Sequence, residues 1–132
     1  MKKLIPTIAC VLLSVTLAWG AVVYNRINKD IATGGAALSV TVAPGCPWRL
    51  DSMRIKLASA GLSGTLTLTM NAIAGGTYDV LLLSQAMIAV TDLVWFPERD
   101  LIFTSGDELI VAWANANTIT YGIEVYYTKL DN

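Results

Sequence analysis

LIFTSGDELIVAWANANTITYGIEVYYTKL, residues Leu101–Leu130, is the stretch whose reading decides the fold. Leu109, Val111 and Trp113 alternate with Ile110, Ala112 and Ala114, and Tyr121, Ile123, Val125 and Tyr127 alternate with more polar neighbours. A period of two places each set on one face of a β-strand. Between the two runs, Asn115-Ala116-Asn117 supplies residues that tolerate a left-handed backbone, as a tight loop requires. The pair therefore reads as a hairpin with one apolar face, which needs a second sheet to cover it.

Upstream, short strand candidates follow one another at close spacing. Leu38, Val40 and Val42 share a face, as do Met53, Ile55 and Leu57, with Arg54 and Lys56 pointing the other way. Thr65–Met70 sets Leu66, Leu68 and Met70 against three threonines, which suit an exposed pleat. Val80–Leu83 is apolar on both faces and predicts a strand covered on both sides. Thr91–Phe96 predicts a strand stopped by Pro97, and Leu101–Phe103 a short edge segment. No 3.6-residue periodicity is found after Gly35. The expectation is an all-β, antiparallel β-sandwich of about eight strands over residues 31–132, with Leu66, Leu68, Leu109, Val111, Trp113, Ile123 and Val125 in its core.

Residues 1–30 read differently. After Lys2 and Lys3, the run Leu4–Val23 carries no charge over twenty residues. It fits a secretory signal cleaved after Ala18-Trp19-Gly20. It fits equally a retained helix long enough to cross a bilayer, with Trp19 and Tyr24 at the far interface. A helix packed in a protein bundle is a third reading. The retained anchor is the expectation, with the body on the outer face of the membrane because positive charge leads. Asn25–Gly35 reads as a linker, or as a continuation of the helix to Asp30.

Charge is unevenly placed. The net charge is -1, with +3 over residues 1–30 and -4 over residues 31–132. So few basic side chains on an acidic body argue against a nucleic-acid partner, whose phosphates must be neutralised. Histidine is absent, which removes the commonest general base and zinc ligand. Neither Cys10 nor Cys46 has a histidine to activate it, and Cys46 lies in the rigid turn Pro44–Trp48.

The order Arg49–Leu57, Gly64–Met70, Gly75-Gly76-Thr77-Tyr78-Asp79, Thr91–Pro97, Gly106-Asp107-Glu108-Leu109 and Thr120–Val125 resembles the jelly-roll sandwich domains of bacteriophage and other virion surface proteins. The resemblance covers about three-fifths of the chain. It implies a jelly-roll-like fold and a structural or attachment role without catalysis. The hydrophobic N-terminal segment departs from a typical soluble capsid or fibre protein; it suits a virion with an internal membrane, or export to a cell surface.

No catalytic, cofactor or metal site is expected. Asp107 and Glu108 are adjacent, so on a strand they point to opposite faces. Asp92, Glu98 and Asp100 match no calcium-loop spacing. The glycine pairs lack the lysine and helix of a phosphate loop. Aromatic side chains are the candidates for ligand or interface contact: Trp48 and Trp95, which adjoin turns, and Tyr126, which lies opposite the apolar face of its strand. Sugars stack on such rings, which keeps a secreted carbohydrate-binding module as the alternative, with a glycan as its partner. Only 14 of the 102 residues after Asp30 are charged. A lone domain of this size carries more charge on its surface, so a homo-oligomeric subunit fits better, with residues 4–23 reaching membrane or other structural proteins. The expected location is a virion surface or the cell envelope.

Overall fold

The computed structural model describes residues 27–130, with side chains from Thr33 onward; the predicted hydrophobic helix at residues 4–23 lies outside the described residues. Among the described residues nine strands follow one another: β1 (Ile27–Gly34), β2 (Leu38–Val42), β3 (Trp48–Leu57), β4 (Thr65–Asn71), β5 (Val80–Ala86), β6 (Asp92–Trp95), β7 (Leu101–Phe103), β8 (Glu108–Trp113) and β9 (Tyr121–Lys129). A 3₁₀ turn at Gly76–Tyr78 precedes β5. No helix among the described residues is long and apolar enough to cross a membrane.

The strands form two antiparallel sheets. The first runs β1-β9-β3-β6, with β7 also paired to β3; the second runs β2-β8-β4-β5. One continuous core lies between them, drawn from Leu38 and Val42, Leu66 and Leu68, Leu109, Val111 and Trp113 on one side and Met53, Ile55, Ile123 and Val125 on the other. Every residue expected in the core is there, and Arg54 and Lys56 point to solvent. The arrangement is sandwich-like, two sheets packed face to face.

Three expectations are corrected. The first concerns the deciding stretch. Strands β8 and β9 belong to opposite sheets, so 114–120 is an arch across the core rather than a hairpin loop. Each strand buries its alternate residues against the other instead of sharing one face. Asn115 makes the crossing: its side chain is buried, accepts from the Ile119 N–H at 3.0 Å, and donates to the carbonyls of Ile119 at 2.8 Å and Ala36 at 3.0 Å. These bonds replace the ladder that both strand ends lose.

The second concerns residues 25–35. Ile27–Gly34 is strand β1, paired along its length with β9 from Ile27 opposite Thr128 to Gly34 opposite Tyr121. Its polar composition reads as a linker, but an edge strand needs little apolar content when a neighbour supplies the ladder.

The third concerns Val80–Leu83. Strand β5 is the outer edge of the second sheet, and Val80 and Leu81 stand 45% and 59% exposed. A register shift between Leu68 and Thr69 leaves Leu82 as an extra residue, so the run cannot bury one regular face.

Candidate functional site

The first sheet presents a charged outer face. Alternation along β3 throws Arg54 and Lys56 outward, and pairing sets Lys56 between Gly122 and Asp92, and Arg54 between Glu124 and Val94. Gly122 has no side chain, so its place becomes the floor of a depression of about 470 Å³ walled by Thr33, Arg54, Lys56, Asp92, Val94 and Glu124. Lys56 lies 3.4 Å from Asp92. Arg54 donates to Glu124 and to the Tyr126 hydroxyl, and that hydroxyl donates to Glu124 at 2.9 Å. The hydrogen bond to Glu124 holds the Arg54 guanidinium still more firmly protonated. Exposed pairs of this kind add little stability, because water screens them and ordering two long side chains costs entropy. They fix charges of both signs in a shallow basin, which can orient a polar partner. No group of three metal-ligating side chains gathers among the described residues.

The three aromatic candidates do not converge on this basin. Trp48 is fully buried, stacked on Phe103 with centroids 4.0 Å apart and edge-on to Tyr127, so its ring presents no face to the surface. The reason is a bulge: the β3–β9 register shifts between Leu50 and Ser52, so Trp48 and Leu50 face inward ahead of it and Met53, Ile55 and Leu57 after it. Trp95 stands opposite Met53, half-buried against the core at the sheet edge. Tyr126 alone reaches the outer face, and the Arg54 guanidinium covers its ring at 5.0 Å. No two of the three form a flat platform.

The carboxylates serve the loops. Asp107 accepts from the Thr104 hydroxyl at 2.7 Å, the Thr104 N–H at 2.8 Å and the Ile73 N–H at 3.0 Å. These bonds, the Thr104 hydroxyl first, hold its pKa below the usual carboxylate value. Glu108 accepts from Asn71 at 3.0 Å. Asp92 and Asp100 face Lys56 and Arg49 separately rather than a shared cation.

What the sequence reading missed is the segregation of charge between the sheets. Strands β2, β4, β5 and β8 hold one charged residue, Glu108, at the first position of β8. Their outward positions are Ser39, Thr41, Thr65, Thr67, Thr69, Leu81, Ser84, Ala86, Ile110 and Ala112, a face almost without charge, since Glu108 stands at its margin opposite Asn71. The same holds at one end of the sandwich, where the connections 35–37, 58–64, 87–91 and 114–120 contain no charged residue. Leu62 and Ile88 stand there 65% and 66% exposed. The loops are tied together by Ala58 N–H to Thr120 O at 2.8 Å, Gly61 N–H to Val90 O at 2.8 Å and Ala89 N–H to Gly61 O at 2.7 Å. Among the described residues, the three non-glycine residues with positive φ, Ala89, Asn115 and Thr118, all lie in these loops. Such backbone persists only where its surroundings over-determine it. The signal was present in the sequence as strand and loop segments free of charge, but it emerges only once they are sorted by face. Neither protein-family models nor curated proteins yield a match to this chain.

Proposed function

We propose that the chain is a non-enzymatic structural subunit, a jelly-roll-like sandwich carried on an N-terminal hydrophobic helix and assembled with its own copies at the surface of a virion or cell. The observation that carries the reading is the charge segregation: one sheet face and one end of the domain carry almost no charge while large apolar side chains stand exposed. Surfaces of that kind are kept where a neighbour covers them.

The strand order supports the jelly-roll part. With β6 and β7 counted as one strand interrupted at Pro97, both paired to β3, eight strands fill two four-stranded sheets. The first and last strands, β1 and β9, pair within one sheet and the second and second-to-last, β2 and β8, in the other, the nesting of two Greek keys. The position of the chain entry supports the anchor. Ile27 stands opposite Thr128, so the N-terminal segment joins the sandwich at the end away from the uncharged loops. A membrane-held subunit would present those loops outward.

The test is native mass of the full chain in a mild detergent, together with intact mass of the mature polypeptide. A retained N-terminus in a defined oligomer is the expected result. A mature chain beginning at Ala21 that stays monomeric at micromolar concentration overturns the reading.

A further inference from the structure

We infer that β5 is the strand through which two copies join, edge to edge about a two-fold axis, the occupant of each edge being β5 of the second copy. The inference rests on the assembly reading above and names its contact.

A sheet edge presents a row of N–H and C=O groups that another strand satisfies directly, so its natural partner is a β-strand. The edges of this sandwich are not alike. In the first sheet, β1 carries Lys29 and Asp30, and β6 carries Asp92 and ends two residues before Pro97. Charges and proline are the usual means of keeping edges apart. In the second sheet, β5 carries neither, and among the described residues it pairs with β4 alone. From Leu83 to Ala86 it pairs regularly with Leu68 to Thr65, which leaves a straight edge available beyond the bulge.

The other open edge of that sheet, β2, is also uncharged, so the choice between β5–β5 and β5–β2 pairing needs a second observation. Exposed apolar side chains supply it. Val80 and Leu81 stand out on β5, and Leu81, Leu82, Trp95, Pro97 and Leu101 line a groove beside it whose charged members, Glu98 and Arg99, come from the turn after β6 and are opposite in sign. On β2 the exposed positions are Ser39 and Thr41. Apolar surface is best covered by apolar surface, and this places β5 against a copy of itself. A two-fold axis brings each residue close to its own twin, so a charged edge would repel itself. An uncharged one does not. The joined sheet would have eight strands and one continuous outer face of mainly threonine, serine and alanine, with Leu81 and Ile110 among them.

The test uses the full chain in mild detergent with Cys10 and Cys46 replaced by serine. Single cysteines are placed in turn at each position from Leu81 to Ala86 on β5, and at Thr41 on β2 as the control. Antiparallel pairing sets the position on the axis opposite its twin at about 4.5–5.5 Å, within disulfide reach. The expected result under mild oxidation is a disulfide dimer formed about tenfold or more faster from that position than from Thr41→Cys, given the millimolar effective concentration of a docked pair. Adding Leu81→Lys to the Ser84→Cys or Ala86→Cys chain should return the rate to the control level. Rates at every β5 position no faster than at Thr41 overturn the inference. If native mass still reports an oligomer in that case, the assembly reading stands and only its contact is wrong. A monomer defeats both.

Discussion

Replacing Asn115 by alanine tests the arch directly. The side chain is 2% exposed and closes three hydrogen bonds, to the Ile119 N–H, the Ile119 carbonyl and the Ala36 carbonyl. Each such bond is worth about 0.5–1.5 kcal/mol net, and a donor left buried without a partner costs about 1–3 kcal/mol. Ile119, itself buried, would be left with such a donor. The backbone adds a further term, because Asn115 has φ 44°, and a side chain that cannot bond locally is strained there by about 1 kcal/mol. The loss should total about 3–5 kcal/mol. Asn115→Gly relieves the backbone term and keeps the hydrogen-bond loss, so it should recover about 1 kcal/mol of it. The assay is urea unfolding of the full chain in mild detergent, followed by tryptophan fluorescence, to which the nearby buried Trp113 contributes. An Asn115→Ala loss below about 1 kcal/mol would refute the view that this side chain carries the crossing between sheets.

Trp113→Ala should cost about 3–5 kcal/mol, while Thr67→Ala on the outer face of the same sheet should cost about half a kcal/mol or less; equal losses in urea titrations would show the faces to be reversed. Gly61→Ala should destabilise the loop end sharply, since a Cβ there would lie 2.0 Å from the Met87 carbonyl oxygen; thermal unfolding unchanged from wild type would contradict that packing. Asp107→Asn should cost stability at neutral pH and progressively less in acid. Its folded pKa is depressed below the ordinary value of about 3.9, so its contribution is fully present above that value and is lost as pH falls through the folded one. A difference between wild type and variant that stays constant from neutral pH to below about pH 3 would remove the carboxylate from that account.

Much of the fold was legible because alternation reports which face a residue takes. Leu109, Val111, Trp113, Ile123 and Val125 fall where their period places them. Alternation says nothing about lateral neighbours. That is why β8 and β9 read as a hairpin although they lie in different sheets, and why the apolar Val80–Leu83 read as a covered strand although it forms an edge. Trp48 was hidden by a different cause. It shares a phase with Leu50 but not with Met53, and only a bulge near Asp51 reconciles the two halves of β3. Asp51 occupies that bulge by accepting from Arg49 at 2.9 Å and from the buried Thr128 hydroxyl at 2.7 Å. The uncharged surfaces were legible in principle, but only a strand order assembles them, and the order is set by pairings distant in the sequence.

The place of β9 has a consequence for synthesis. It lies between β1 and β3 and is the last strand of the nine to leave the ribosome. Until it arrives, β1 has no neighbour in its sheet and β3 lacks its longest one, so the first sheet cannot close. The second sheet waits only for β8, but its inner side has nothing to rest on without the first. Pairings of such long range form slowly, on the order of milliseconds to seconds, and residues are added at about 5–20 per second. For much of its synthesis, then, the nascent chain holds Leu50, Met53, Ile55, Leu66 and Leu68 without cover, and a ribosome stalled before Tyr121 would release a chain with half a sandwich.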